Sequence, residues 1–241
     1  MWWVGSRPHD VYLGTRGFAV RAGDGEPVWQ ETDGLQAGLD AFVAWLGQAQ
    51  RKAKLRLWLS GGLCRPFVMQ AVPGVSGEAE WQRVAVAMAP AQTGLSGPCV
   101  VWLSKSAQSE AARVAVAVEQ QVLQRLQALV EDAGTRHRLV SMRPWWSEVL
   151  RVALLRDATS PALAVQDCDA LTVLAGTGVG FDTATTLSPI ADRGSADAAL
   201  ARWLLTADVA ADRMLRVRLS PDLVQAPHAS AAFGALTYWS R

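Results

Sequence analysis

The sequence predicts an α/β protein, mixed sheets with helices, built as two related halves of which the second is shortened. The first sign is an internal echo: a strand hairpin, a helix and a further strand occur in that order twice. One copy runs from Asp10–Val20 through a helical stretch at Leu35–Gln50 to Arg56–Ser60. The other runs from Ala162–Leu174 and Phe181–Leu187 through a helix at Ala196–Ala207 to Arg216–Ser220. Fixed-order repetition of one supersecondary unit marks duplicated architecture. The second sign is the change of apolar spacing within a copy, from alternation in the strands to steps of three and four in the helices.

The elements follow in order. Val11 and Leu13 alternate with Phe18 and Val20 around Gly14-Thr-Arg-Gly17, a hairpin pattern. Gly23-Asp-Gly25 turns into a short third strand at Pro27–Gln30. Leu35, Leu39, Phe42, Val43 and Leu46 then fall on one face of an amphipathic helix. Leu55–Leu59 has the pattern of an interior strand, broken by Ser60-Gly-Gly62, and Phe67–Val72 is another strand. Pro73-Gly74 turns the chain into a short helix at Glu78–Met88, and a Pro/Gly loop precedes the strand Cys99–Leu103. The longest helix is expected from Gln108 to Asp132, with Ser106 as its cap and Gly134 as its stop. Its apolar stripe is Val114, Val118, Val122, Leu126, Leu129 and Val130; it suits a helix laid across a sheet, with a coiled coil as the other reading. Arg138–Met142 is a strand, and Pro144 suits the first turn of a helix at Trp145–Leu155. Asp157–Pro161 looks like the junction, which divides the chain into 1–158 and 159–241. Strands flank Gly176–Gly180, and the tail from Gln225 docks back as a helix or a strand.

Composition narrows the function classes. The 241 residues are 50% hydrophobic and 19% charged, the balance of an ordinary soluble globular protein. A net charge of +1 gives no footprint for nucleic acid. The basic run Gln50-Arg-Lys-Ala-Lys-Leu-Arg56 reads as a helix end, where cations favour the dipole, with a phosphate or lipid patch as the alternative. Cys64, Cys99 and Cys168 form no Cys-x-x-Cys pair, so they are expected as reduced, buried side chains. No basic segment followed by an apolar core opens the chain, and no apolar run reaches the roughly 18 residues of a membrane span. The expected compartment is the cytoplasm. Of the eleven tryptophans most suit core positions, but two adjacent large rings rarely share one core. At least one of Trp2 and Trp3, and one of Trp145 and Trp146, is therefore expected to be partly exposed and available as a partner contact.

No catalytic constellation stands out. Gly176-x-Gly-x-Gly180 has no Lys-[Ser/Thr] ending and leads into a strand, so it reads as a hairpin turn rather than a phosphate loop. Asp167 and Asp169 lie two apart, which on a strand aims both carboxylates one way; a metal pair and solvated acids at a strand end are the two readings. His9, His137 and His228 stand far apart. Ser60 in Leu59-Ser-Gly-Gly62 imitates a nucleophile serine incompletely, which argues against a serine hydrolase.

The doubled hairpin–helix–strand unit resembles the actin-like superfamily, whose halves are each ribonuclease-H-like. The opening Val11-Tyr-Leu-Gly-Thr-Arg-Gly-Phe18, the segment Asp132-Ala-Gly134, Leu139-Val-Ser-Met-Arg-Pro-Trp145 and the restart at Asp167 look like two groups within it. These are the type IV pilus PilM type and the cytoplasmic domain of the type II secretion L component. The resemblance implies two phosphate hairpins around Mg-ATP, here Leu13-Gly-Thr-Arg-Gly17 and Asp167–Thr172. The first lacks the family's acid, and in the second Asp169 stands where a glycine would let phosphate approach. Two expectations follow from that. One is a non-catalytic cytoplasmic scaffold, without cofactor, that docks to an inner-membrane assembly protein of a pilus or secretion system. The other is an ATP-binding phosphotransferase or ATPase using Gly14, Thr15, Asp167 and Thr172 around Mg-ATP. A ribonuclease-H-type nuclease would need a converging acidic cluster that the sequence does not offer.

Overall fold

The computed structural model describes residues 8–22, 25–48, 53–104, 112–132, 137–156, 162–176, 181–207, 209, 214–218 and 237–238. The first half opens with β1 (His9–Leu13), β2 (Gly17–Arg21) and β3 (Val28–Glu31), an antiparallel meander. Helix α1 (Leu35–Gln48) carries the chain over to β4 (Ala53–Leu59), which runs parallel to β1 with Leu59 beside Leu13. A parallel neighbour requires such a crossover, and α1 supplies it with Leu39, Phe42 and Leu46 turned into the core. The sheet closes with β8 (His137–Pro144), giving the order β3-β2-β1-β4-β8.

The second half repeats the scheme. β9 (Ala162–Gln166), β10 (Leu171–Ala175) and β11 (Thr183–Leu187) form a meander, and α5 (Arg193–Ala207) crosses to β12 (Met214–Arg218), parallel to β9. The tail adds β13 (Thr237–Tyr238) antiparallel to β12, so its described part is a strand. The order β11-β10-β9-β12-β13 matches the first sheet through four strands. The repetition expected from sequence is therefore real in topology. The glycine-rich stretch after Ala175 joins β10 to β11 as a hairpin, although 177–180 lie outside the described residues.

Between β4 and β8 the first half carries an insertion: β5 (Cys64–Met69), α2 (Glu78–Thr93), β6 (Cys99–Leu103) and β7 (Arg113–Glu119), which form the small antiparallel sheet β5-β7-β6. After it come α3 (Gln120–Asp132), β8 and α4 (Trp145–Arg156). The long helix expected from Gln108 is thus corrected: among the described residues, Arg113–Glu119 is strand β7 and the helix covers 120–132, while 108–111, the expected cap Ser106 and the expected stop Gly134 lie outside the described residues. The cause lies in Arg113-Val-Ala-Val-Ala-Val-Glu119. Val114 and Val118 fit a helical step of four, yet the same valines alternate with alanines at period two. β-branched side chains with ladder partners on both sides favour the strand. Ala115 and Ala117 let α2 approach closely through Trp81, Ala85 and Ala89, while Val116 and Val118 face the main core. Gln50–Arg56 is corrected too: Lys54 and Arg56 lie on β4 rather than at a helix end, and 49–52 lie outside the described residues.

The main core joins both sheets. Leu163, Val165, Leu174, Ala184 and Val217 of the second sheet pack in one cluster with Val11, Leu13, Leu57, Leu59, Trp58 and Trp145. The opposite face of the second sheet packs on α5 through Ala196, Ala199 and Leu200. Asp10, fully buried on β1, fixes the first sheet from within. It accepts hydrogen bonds from Arg21 Nη2 at 2.7 Å, Arg56 Nε at 2.7 Å, Arg56 Nη2 at 2.8 Å and Trp58 Nε1 at 3.1 Å. Satisfying a buried carboxylate on neighbouring strands ties β2 and β4 to β1 in register.

Candidate functional site: the cleft between the two hairpins

Three turns meet where the halves face each other. The β1–β2 turn is closed by Gly14 N donating to Gly17 O at 2.8 Å. The turn after β4 begins at Ser60, whose N–H donates to Leu13 O at 2.9 Å; its carbonyl then accepts from Leu63 and Cys64. The β9–β10 turn is closed by Asp167 N donating to Ala170 O at 2.8 Å, and Ile190 N holds the Asp169 carbonyl at 2.9 Å. The first and third turns link paired strands, and the second is tied to β1 by its Ser60 amide, so their tips are fixed by the sheets that carry them.

The side chains of the third turn reach into the first two. Asp169 Oδ2 accepts three hydrogen bonds, from Thr15 N at 2.7 Å, Thr15 Oγ1 at 2.8 Å and Ser60 Oγ at 2.9 Å. Asp167 Oδ2 accepts from Gly61 N at 2.6 Å. Both carboxylates are buried, as are Ser60 and Thr172, so the reading of Asp167 and Asp169 as solvated acids is corrected. Thr172 Oγ1 lies 3.1 Å from Thr186 Oγ1, and Tyr12 Oη lies 3.2 Å from Cys168 Sγ. Arg16 Nη1 donates to Ala191 O at 2.9 Å, one more tie across the cleft.

The approach is close enough to demand glycine. A Cβ on Gly14 would lie 2.6 Å from Cys168 Sγ, one on Gly62 would lie 2.9 Å from Asp169 Cγ, and one on Gly61 would overlap Thr172 Oγ1. Missing side chains let the two hairpins and the β4 turn meet backbone to side chain.

Burial sets the protonation chemistry. It pushes the Asp167 carboxyl well above its ordinary range, and the Asp169 charge beside it adds to this; the Gly61 amide and the Tyr12 hydroxyl oppose the rise. Burial likewise raises the Tyr12 phenol, with the charge of Asp167 next in effect. The Cys168 thiol is raised by burial and then by Asp169, and Cys64 by burial and then by Asp167. Neither thiol is an activated nucleophile, which would need its pKa lowered. Among the described residues no group of three or more His, Cys, Asp or Glu side chains gathers as a metal site requires.

Gly14, Thr15, Asp167 and Thr172, singled out in the sequence, are brought together here around Asp169 and Gly61. A triphosphate does not fit these residues. The amide and hydroxyls that would receive a phosphate oxygen are engaged by Asp169, and its carboxylate would face the incoming anion. Like charges about 4 Å apart repel by about 4 kcal/mol even at an effective dielectric of about 20. Sequence reasoning named Asp169 but missed Ser60 and Gly62 as its receiving surface, and Gly61 as the donor to Asp167. Their signal was the serine and paired glycines at the end of a central strand.

The expectation for Trp145 and Trp146 is corrected. Both are buried, at 2% and 3% exposure. Trp145 meets Tyr12 and Trp58 edge-on, each at 6.2 Å, while Trp146 Nε1 donates to Cys64 O at 3.3 Å. The two rings are covered by different elements, the first sheet and the start of β5, so adjacency costs neither its burial. Trp2 and Trp3 lie outside the described residues.

No family model matches the chain, and no curated protein does. Solved structures do. A Bacteroides thetaiotaomicron protein with an actin-like ATPase fold and unknown function aligns at 9% identity over 85% of this chain and 79% of that one, with a TM-score of 0.53. A chain of the PilM–PilN type IV pilus biogenesis complex aligns at 13% identity over 84% of this chain and 66% of that one, also with a TM-score of 0.53. The cytoplasmic domain of EpsL, an inner membrane component of the type II secretion system of Vibrio cholerae, aligns at 14% identity over 88% and 82%, with a TM-score of 0.48. The doubled sheet order and the two likenesses at a TM-score of 0.53 agree: the chain has the actin-like fold.

Proposed function

We propose that the protein is a non-catalytic, actin-like scaffold of a type IV pilus or type II secretion-like machine. Its halves are 1–158 and 159–241, and it works in the cytoplasm by binding an inner-membrane assembly protein. The observation that carries this reading is the Asp169 carboxylate seated on Thr15 and Ser60, where nucleotide chemistry would need open donors. The fold likeness to a chain of the PilM–PilN complex supports the machine assigned. No helix among the described residues is long and apolar enough to cross a membrane, so in this reading attachment comes through the partner.

Docking uses strand edges rather than the buried tryptophans. β3 and β8 end the first sheet, and each carries an exposed apolar residue, Val28 at 72% and Val140 at 52%. An extended partner segment can add to such an edge because its backbone donors and acceptors are already aligned. The competing function is a phosphotransferase or ATPase with Gly14, Thr15, Asp167 and Thr172 around Mg-ATP. Calorimetric titration of the full chain with Mg-ATP separates the two. The scaffold reading expects no binding heat; micromolar binding abolished by Asp167→Ala would overturn it.

A further inference from the structure

We infer that Asp169 is the internal occupant of an oxyanion site built by Thr15 and Ser60, and that this contact, beside the shared core, closes the cleft between the two halves without any ligand. The inference rests on the nucleotide-free reading above and extends it to how the molecule keeps its shape. A backbone N–H and two hydroxyls converge on one oxygen, all three donor distances lying between 2.7 and 2.9 Å. Such convergence of donors on a single oxygen is how proteins receive phosphate and carboxylate groups. The acceptor here comes from a residue 154 positions along the chain from Thr15, in the other half. The lock is therefore tertiary rather than local.

The surroundings fit a seat made for this side chain. Gly62 lies so near the carboxylate that an added Cβ would meet all three of its atoms within 3.0 Å. Gly14 would meet Asp169 Oδ2 at 3.2 Å. The turn that presents Asp169 is anchored at both ends, by Asp167 N to Ala170 O and by Ile190 N to Asp169 O. A side chain so held supplies from within what a bound anion would supply from without. The halves need no ligand to close, which suits a scaffold in constant use. Removing the carboxylate leaves the three donors facing a gap that a small tetrahedral oxyanion can enter.

The test uses the full chain and inorganic phosphate, with sodium chloride matched for ionic strength. In Asp169→Ala the melting temperature should fall by about 4–10 °C, as loss of buried charge-assisted hydrogen bonds implies for a chain of this size. Phosphate should then restore much of the loss in a saturable manner, whereas the wild type should respond as it does to chloride. Adding Thr15→Ala and Ser60→Ala to that variant should abolish the rescue. A variant that melts like the wild type, or is rescued no better by phosphate than by chloride, overturns the inference. Should Asp169→Ala fail to fold, hydrogen exchange of the wild type decides. Thr15 N–H should exchange as slowly as the strand amides of β1 and β4, and exchange at the rate of an open turn would overturn the inference. Mg-ATP binding by the wild type would instead sink the nucleotide-free reading. Silence towards ATP combined with a phosphate-blind Asp169→Ala sinks the inference alone.

Discussion

Two aspartates two positions apart have opposite surroundings in this cleft. Asp169 has three donors on one oxygen, and Asp167 has one backbone donor and a large desolvation cost. The consequence for Asp167 is a stability that depends on pH. Its carboxyl ordinarily titrates at 3.8, but burial holds it well above that in the folded chain. As pH rises past the ordinary value, the unfolded chain gives up this proton while the folded chain keeps it. Folding is therefore progressively disfavoured until the raised folded value is passed. Asp167→Asn cannot ionise and keeps an oxygen for Gly61 N–H. Urea unfolding from pH 4 to pH 7 should show the variant gaining on the wild type as pH rises; parallel curves would contradict this. At this level the sequence was informative about identities and silent about environment. Asp169 stood out because a glycine is expected there. Nothing in Asp167-Cys-Asp169 tells that both acids are buried, because their cover comes from Ser60-Gly-Gly62 more than a hundred residues away. Trp145 and Trp146 failed in the same way: sequence gives two large rings, and only tertiary structure supplies two separate covers.

Strands and helices were legible wherever one period dominated. The β1–β2 hairpin, α1, β6 and the β10–β11 hairpin lie where alternation or a three-to-four step placed them. β7 was not legible, because Val114, Val118 and Val122 satisfy both periods and the window contains no Gly or Pro to divide it. What settles the matter is non-local: β5 and β6 flank this segment, and a strand there completes both ladders. Its alanines have a role that a helix would not give them. Ala115 and Ala117 are fully buried against Trp81, Ala85 and Ala89 of α2. Ala117→Leu should thus overpack this contact and cost about 1–3 kcal/mol in urea unfolding. In a solvent-facing helical position the same change would be nearly neutral, so an unchanged midpoint would contradict the strand and its packing.

The molecule as a whole repeats one plan twice, and its halves differ where their hairpins face each other. Each half keeps a meander, a crossover helix and a parallel fourth strand, and the sequence echo reported that plan. Among the described residues, the insertion β5-α2-β6-β7 has its place in the first half. At the junction, small residues in the first half receive one turn of the second: Gly14, Thr15, Ser60, Gly61 and Gly62 against Asp167, Cys168 and Asp169. The fold likeness to actin-like proteins describes the frame, while these contacts describe what this chain does with it. In the proposed reading, a cleft filled by its own carboxylate leaves the outer edges of the sheets for recognition.

The most direct measurement is a crystal structure of the full chain grown with millimolar Mg-ATP. The account predicts Asp169 within hydrogen-bond distance of Thr15 and Ser60, and no nucleotide between the halves. An ordered triphosphate on the Thr15 amide, with Asp169 displaced, would contradict it.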